Sequence, residues 1–327
     1  MKAFAYVSPT TAKDALAALK AGGIVRPLAG GQDLLARMKD YVEDADTLVN
    51  VKQALDAGVT AVGGGLKIGA AMTLDALSTH PGVIRMYPAV AEAASSVGSP
   101  QIRHQGTVGG NINQRPRCWY FRQEEFVCFK KGGNRCFSVD GENQYHAIFG
   151  NEGPSKIVHP SSLAVPFVAY GARFVVAGQN GEREIPAAEY FTQPTMQNVK
   201  KENVLGDDEL LTHVILPAPG QIRSGHYEVR FKESRDWPMA FATVVVTMSG
   251  ANVASARVVL GAVAPTPWRS EAAERALVGK PLTQATADAV AEAAVQGARP
   301  MSQNAYKVQI TKTAVARAIM HAAGRRA

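Results

Sequence analysis

The chain has 327 residues, of which 46% are hydrophobic and 19% charged, so it can bury a substantial core, and two domains are expected. This composition excludes a disordered or fibrous chain. No apolar run approaches the roughly 18–20 residues that span a bilayer, and the first residues lack the apolar stretch of a secretion signal. We therefore expect a water-soluble protein with no membrane insertion and no secretion signal of its own.

Apolar spacing and capping residues predict alternating helices and strands in the first 190 residues, which indicates an α/β fold. Helices are predicted over 10–22, Asp33–Tyr41, Leu74–Thr79, Ala89–Ser96 and Ser161–Tyr170. Strands are predicted over Ile24–Leu28, Thr47–Val51 and Leu66–Ala70, with a hairpin of Arg173–Ala177 and Glu182–Ile185 around Asn180-Gly181.

The strongest boundary signal is Pro217-Ala218-Pro219-Gly220, after which the pattern changes. Strands are predicted over Gly225–Lys232, Thr243–Thr247 and Ser255–Gly261, and helices over Ser270–Val278, Thr283–Gln296 and Asn304–Ala323. Strands followed by helices indicate an α+β domain. We therefore expect two domains, residues 1–220 and 223–327.

Two glycine doublets stand about eighty residues apart, in Ala29-Gly30-Gly31-Gln32-Asp33 and Thr107-Val108-Gly109-Gly110-Asn111. Without a Cβ, backbone N–H groups can approach an anionic group closely. The first doublet is predicted at a strand-to-helix turn, where phosphate binding is favoured. Neither doublet matches a standard nucleotide motif, and each taken singly is also typical of an ordinary turn.

Residues 103–135 hold seven Lys or Arg residues against Glu124 and Glu125. This excess fits either a solvated basic face or a region beside a bound anion. Nucleic acid is the weaker candidate, because no recognisable binding motif accompanies the charge, and we expect none to bind.

All three cysteines, Cys118, Cys128 and Cys136, fall within 19 residues. Three thiols so close together, without a secretion signal, indicate a shared metal site rather than a disulfide framework. Zinc sites usually show C-x2–4-C pairs, which are absent here, so an iron–sulfur cluster is preferred to zinc.

Four motifs together resemble the FAD-binding medium subunit of the molybdenum hydroxylases, which include xanthine dehydrogenases, carbon monoxide dehydrogenase and aldehyde oxidoreductases. These motifs are Leu28–Leu35, Ile68–Thr73, Gln101–Ile112 and Leu260–Ala264. The resemblance covers nearly the whole chain. It implies a two-lobed FAD-binding domain similar to the vanillyl-alcohol oxidase (PCMH) type, with lobes at about 1–55 and 56–220, followed by a small α+β domain.

The resemblance also assigns cofactor contacts. It implies that backbone N–H groups of two glycine blocks bind the FAD pyrophosphate and ribityl chain. The implied residues are Leu28, Ala29, Gly30, Gly31, Gln32, Asp33 and Leu34 in the first glycine block, and Ile102, Gly106, Thr107, Gly109, Gly110 and Asn111 in and before the second. Ser162 stands where the family has Asp, and Lys232 matches a position near the isoalloxazine, although a solvated strand-edge charge is an equal alternative.

Residues 115–150, hereafter the cysteine segment, resemble an insertion that holds an extra [4Fe–4S] cluster in some of these subunits. Three-subunit bacterial aldehyde oxidoreductases are the nearest likeness, and 4-hydroxybenzoyl-CoA reductase is more distant. Three cysteines cannot supply four thiolates, so the fourth ligand must come from another residue, a partner or solvent. His146 is the candidate, and a structural histidine is the alternative.

The function implied by the resemblance is electron relay within a heterotrimer. An aldehyde would be oxidised at a molybdenum cofactor on a large subunit, and electrons would pass through [2Fe–2S] centres of a small subunit to FAD and an external acceptor. The chain itself shows no catalytic acid–base residue. A stand-alone flavoprotein oxidase or reductase and a zinc-bearing adaptor are the alternatives. We expect the complex in the cytoplasm, or in the periplasm after co-export with a partner subunit.

Overall fold

The computed structural model describes residues 1–232 and 235–325, and three sheets form within them. The first is parallel, in the order β1-β3-β2, and its strands are β1 Ala5–Val7, β2 Val25–Leu28 and β3 Thr47–Asn50. The second is antiparallel, in the order β4-β5-β8-β6-β7, and its strands are β4 Val59–Val62, β5 Gly65–Gly69, β6 Arg173–Gly178, β7 Gly181–Pro186 and β8 Leu210–Leu216. The third is antiparallel, in the order β12-β11-β10-β9, and its strands are β9 Ile222–Arg230, β10 Pro238–Ser249, β11 Asn252–Gly261 and β12 Trp268–Arg269.

The helices of the first 220 residues are short, and several begin at a Thr or Ser side chain that accepts a backbone N–H. They are α1 Ala12–Ala18, α2 Leu34–Lys39, α3 Leu74–Thr79, α4 Pro81–Met86, α5 Pro88–Ser96, α6 Pro100–Gln105, α7 Val108–Ile112, α8 Trp119–Arg122, α9 Ala164–Ala169 and α10 Ala187–Tyr190. Longer helices follow the third sheet, namely α11 Glu271–Leu277, α12 Gln284–Ala294 and α13 Tyr306–Ala322. None of the helices in the described residues is long and apolar enough to span a bilayer.

Strand β10 of the third sheet is buried on both faces along its middle, which explains why it is apolar along most of its length. Alternate side chains point to opposite faces of a strand. Phe241 and Val245 join the core of the antiparallel second sheet, whereas Ala242, Val244 and Val246 pack with α11, α12 and α13. The third sheet, which is the C-terminal sheet, therefore packs between the second sheet and helices α11, α12 and α13.

The sequence-based elements hold best where the pattern is strong. Helix α3 and the β6–β7 hairpin lie where they were predicted. The helices predicted over 10–22 and 161–170 are shorter, ending at Ala18 and beginning at Ala164. Strands β1, β4 and β8 were not predicted, and the second glycine doublet, expected as a turn, lies inside α7.

Candidate functional site

A cleft of about 630 Å³ is lined on one side by β2 and α2, and on the other by α7 and β8. This volume is typical of a site for a small-molecule cofactor. The predicted cofactor-binding residues that line it are Ala29, Gly30, Gly31, Gln32, Asp33, Leu34, Ile102, Gly106, Thr107, Gly109, Gly110 and Asn111. Leu28, Ser162 and Lys232 lie outside its lining. The folding chain therefore brings most of the two predicted sets together.

In the first glycine block, the two glycines have different structural roles. A Cβ on Gly30 would lie 2.1 Å from the carbonyl oxygen of Gln105 and 3.0 Å from Gly106 Cα, so Gly30 allows the two blocks to meet backbone to backbone. Gly31 has φ +72°, a conformation that favours glycine. The N–H groups of Gly31 and Gln32 donate to no acceptor within residues 1–232 and 235–325. The first block thus offers free donors at the cleft wall.

In the second glycine block, the N–H groups of both glycines are already used within the chain. Thr107 caps α7, and its hydroxyl accepts the Gly110 N–H at 3.1 Å. The Gly109 N–H donates to the Ala70 carbonyl at 2.9 Å. A Cβ on Gly109 would lie 3.0 Å from Ala70 Cβ. As folded, this block forms a wall of the cleft in which the Gly109 and Gly110 N–H groups already have acceptors.

The segment around Ser162 is connected to the second glycine block through its neighbour. The Ser161 hydroxyl donates to the Asn111 side-chain carbonyl at 2.7 Å and accepts the Ala164 N–H at 3.0 Å. Ser162 is buried outside the cleft lining. Lys232 is exposed, whereas Trp237, in the same β9–β10 connection, lines the cleft.

The charged side chains around the cleft form one network, hereafter the cleft cluster. Its carboxylates are Asp33, Glu43 and Glu202, and the cations paired with them are Arg26, Arg37, Arg115, Arg117, Arg122 and Lys130. Cations outnumber carboxylates within it. The side chains of Arg115, Arg122 and Lys130 are only 19%, 13% and 2% exposed. The solvated-face interpretation of this basic region is therefore wrong for these residues.

Asp33 is the centre of the cleft cluster. Its carboxylate contacts Arg122 at 2.6 Å and both Arg37 and Arg117 at 3.1 Å, and it also accepts the Arg115 backbone N–H. Burial alone would raise the pKa of Asp33, but the nearby guanidinium groups hold it below its usual value. This carboxylate therefore stays ionised and organises the arginines, instead of capping α2.

Arg117 is held differently from its neighbours. One of its terminal nitrogens donates to the Gln114 side-chain carbonyl at 3.1 Å, and its guanidinium stacks over the Trp237 ring, 4.3 Å from the centroid. Its Nε is buried and has no hydrogen-bond partner in the part of the chain that the structure describes. Burial lowers the pKa of Arg117 to about 10.

The cysteine segment folds into a separate, aromatic-lined region. Rings of Trp119, Tyr120, Phe126, Phe137 and Tyr145 pack edge-on or stacked against one another. Such a shell of packed rings limits the access of water to whatever it surrounds.

Two of the predicted metal ligands are in contact. The Sγ of Cys118 lies 3.2 Å from Nε2 of His146. Burial raises the pKa of Cys118 to about 12, with smaller contributions from Cys136 and Cys128. Cys136 Sγ lies 3.1 Å from the Ser138 hydroxyl. No group of three or more His, Cys, Asp or Glu side chains in residues 1–232 and 235–325 is arranged to hold a metal ion.

A buried lysine ties the cysteine segment to the C-terminal domain. The Lys307 ammonium on α13 donates to the carbonyls of Tyr145, His146 and Ala262, the last at 2.6 Å. Burial lowers the pKa of Lys307 to about 7. The position of His146 therefore depends on a contact made about 160 residues later in the chain.

Comparison with known families identifies the fold. Residues 2–219 match the family model described as the FAD binding domain in molybdopterin dehydrogenase, and residues 226–322 match the CO dehydrogenase flavoprotein C-terminal domain. The chain belongs to the FAD-binding medium subunits of the molybdenum hydroxylase family. The family and the mixed α/β fold expected from the four motifs are thereby confirmed.

Relatives of this FAD-binding subunit match it over nine-tenths or more of its length. It is 32% identical over 98% of its length, and 99% of the relative's, to the aldehyde oxidoreductase FAD-binding subunit PaoB of Escherichia coli. It is 29% identical over 91% of its length, and 88% of the relative's, to the carbon monoxide dehydrogenase medium chain of Hydrogenophaga pseudoflava. A solved structure of that dehydrogenase aligns with a TM-score of 0.76 at 28% identity, covering 100% of this chain and 99% of the other.

Sequence reasoning missed much of the charged framework of this FAD-binding subunit. The basic residues of the cleft cluster between 115 and 130 carried a signal, the local excess of Lys and Arg. Glu43, Glu202 and Trp237 carried none, because each is isolated in sequence and reaches the cleft only in the folded chain.

Proposed function

We propose that the cleft holds FAD, bound by the free N–H groups of the first glycine block and by the excess positive charge of the cleft cluster. The observation that carries this proposal is the meeting of the two glycine blocks beside partly buried arginines. When bound, FAD supplies one- and two-electron transfer. The protein supplies binding, orientation and charge: Gly31 and Gln32 offer donors, Asp33 positions the arginines, and Trp237 covers one of them.

We further propose that the chain is the electron-transfer subunit of a heterotrimeric molybdenum-containing aldehyde oxidoreductase. The full-length similarity to the PaoB subunit supports aldehyde over carbon monoxide as the substrate class. A large molybdopterin-binding subunit and a small [2Fe–2S] subunit would be its partners. In this proposal residues 1–220 form the FAD-binding domain and residues 223–327 the C-terminal domain.

The cysteine segment is proposed to hold the [4Fe–4S] cluster through Cys118, Cys128, Cys136 and His146. Thiolates and imidazole are suitable ligands for iron. Support comes from the contact of Cys118 with His146, from the aromatic shell and from the buried Nδ1 of His146, which has no hydrogen-bond partner among the described residues. Metal binding would have to draw Cys128 and Cys136 toward that pair and deprotonate the thiols.

Co-expression of the chain with its two partner subunits tests the relay. The purified complex should contain FAD, and aldehyde should bleach its flavin absorbance under anaerobic conditions. If the chain contains FAD and a substrate reduces that FAD when no partner subunit is present, the chain is a stand-alone oxidase or reductase. A colourless chain that contains zinc would indicate the adaptor. Fractionation of cells separates a cytoplasmic complex from one exported with a partner.

Iron and acid-labile sulfide analysis tests the cluster separately. Cys128→Ser should remove iron from this subunit, while Asp140→Asn, an exposed change in the same segment, should retain it. FAD content should be unchanged in both variants. Wild-type protein that is prepared anaerobically and lacks iron would refute the cluster without affecting the flavin proposal.

A further inference from the structure

The excess of cations over carboxylates in the cleft cluster is greatest at Asp33. One carboxylate there faces the guanidinium groups of Arg37, Arg117 and Arg122. Arg37 also pairs with Glu43, and Arg122 also donates to the carbonyls of Pro116 and Arg115. These two arginines therefore have acceptors beyond Asp33, and their positions are explained by the fold.

Arg117 lacks that explanation. Beyond its shared contact with Asp33, its only acceptor among the described residues is the Gln114 side chain, and its buried Nε has none. A buried donor without a partner costs about 1–3 kcal/mol. The Trp237 ring covers the guanidinium, which strengthens its interaction with any anion in the cleft by limiting solvent. A cationic donor held in this way is typical of a group awaiting an anionic ligand.

We propose that Arg117 is an anion-binding residue of the cleft and takes a phosphate oxygen of the bound dinucleotide. Arg117 pairs with Asp33, which directly follows Gly31 and Gln32 in the chain, and the guanidinium and these two unpartnered N–H groups belong to residues that line the same cleft. A guanidinium and backbone N–H groups together form a site for a phosphate. This inference rests on the proposal that the cleft binds FAD, and it names the side chain that recognises the phosphate part.

Equilibrium binding of three probes to the full-length chain freed of flavin tests the assignment. FAD and ADP both carry the pyrophosphate, whereas riboflavin carries only the ring and ribityl chain. Arg117→Gln should weaken the binding of FAD and of ADP by at least about tenfold, the size expected for a lost charge-assisted hydrogen bond. The affinity for riboflavin should be unchanged. Arg117→Lys, which keeps the charge but loses Nε, should fall between wild type and Arg117→Gln.

Lys201→Gln is the matched control, because it removes one positive charge from an exposed part of the cleft lining, where Lys201 pairs with Asp207. It should weaken FAD and ADP by less than about threefold through screened electrostatics. The melting temperature of each variant without ligand reports folding. If Arg117→Gln does not fold, Arg117→Lys decides the question.

The outcomes separate this inference from the FAD proposal. Equal weakening of ADP by Arg117→Gln and Lys201→Gln would overturn the assignment of Arg117 while leaving FAD binding intact. If Arg117→Gln weakened the binding of riboflavin as much as the binding of FAD, the assignment of Arg117 would also be overturned. A wild-type chain that binds ADP but neither FAD nor riboflavin would refute the flavin proposal, and loss of that ADP binding in Arg117→Gln would still support the phosphate contact.

Discussion

The cleft cluster can be compared with a second buried ionic group, which joins α5 to the C-terminal sheet. There Glu228 on β9 accepts hydrogen bonds from His226, Arg230 and the Ser96 hydroxyl at the end of α5. Arg230 also donates to the Ser96 carbonyl, and His226 contacts Thr243 on β10. We call this set the α5–β9 cluster.

The two clusters differ in charge balance. In the α5–β9 cluster the carboxylate and its donors satisfy one another, and the side chain of Glu228 is 4% exposed. In the cleft cluster cations outnumber carboxylates, and the Arg117 Nε has no acceptor among residues 1–232 and 235–325. Breaking a balanced buried cluster should cost stability, whereas removing a cation from an unbalanced one should cost ligand binding.

Glu228→Gln should give the largest effect. It leaves Arg230 buried beside a neutral amide, and loss of one partner from a buried ion pair costs about 3–5 kcal/mol. The free energy of unfolding from urea titration measures this loss. Glu271→Gln, which breaks an exposed pair with Arg275, is the control and should change stability by less than about 1 kcal/mol. Similar losses in the two variants would show that the α5–β9 cluster does not join the domains.

Acid should weaken the α5–β9 cluster. Burial by itself would raise the pKa of Glu228, but the hydrogen bond and charge of His226, with those of Arg230, lower it to about 2. A carboxyl whose pKa is lower in the folded than in the unfolded chain stabilises fully above the unfolded value, near 4.5, and loses this contribution as the pH falls toward 2.

The gap in unfolding free energy between wild type and Glu228→Gln should therefore narrow as the pH falls from 5 toward 2, by up to about 3 kcal/mol. Urea titrations at half-unit pH steps measure the gap. A gap that stays constant over this range would show that Glu228 is not held ionised by its neighbours.

Gly30→Ala tests the other half of the comparison, the backbone frame that supports the cleft. Its Cβ would lie 2.1 Å from the Gln105 carbonyl oxygen, so the two glycine blocks must separate. We expect a loss of about 1–3 kcal/mol, typical of overpacking, and a large loss of FAD content. Gly22→Ala, whose Cβ would meet no atom within 4 Å, should be neutral in both measurements. Full FAD content in Gly30→Ala would show that close contact of the blocks is not required.

Local signals in the sequence predicted the two glycine blocks, the β6–β7 hairpin and helix α3, because turn residues, capping residues and apolar spacing act over a few residues. Strand β8 was missed although Leu210–Leu216 is mostly apolar, because nothing local indicates that it pairs with β5 and β6. The part of Gly30 in bringing the two blocks together was not predicted, because its missing Cβ makes room for Gln105, a residue 75 positions away.

The candidate site was predictable to a similar degree. The basic residues near the second block and the three cysteines stood out by density alone. Their partners did not, because Glu43, Glu202 and Lys307 are single residues brought in by tertiary packing. The local density of basic residues and cysteines therefore indicated where the cleft and the cysteine segment lie. Their charge balance and hydrogen bonding depend on residues that are distant in sequence.

Arg117→Gln should have the smallest effect on stability, and it tests most directly whether the cleft cluster binds a ligand while the α5–β9 cluster stabilises the fold. Removing one of three guanidinium groups around Asp33 relieves like-charge repulsion and removes the buried Nε. Without ligand, the melting temperature should therefore rise, or fall by no more than a loss of about 1 kcal/mol in unfolding free energy would cause. Ligand stabilises by mass action, so the rise in melting temperature on adding FAD should shrink in this variant. In Glu228→Gln the opposite should hold: a lower melting temperature with the full rise on adding FAD. If both variants lose stability and both keep the full FAD-dependent rise, then charge imbalance does not distinguish a ligand site from a structural one in this molecule.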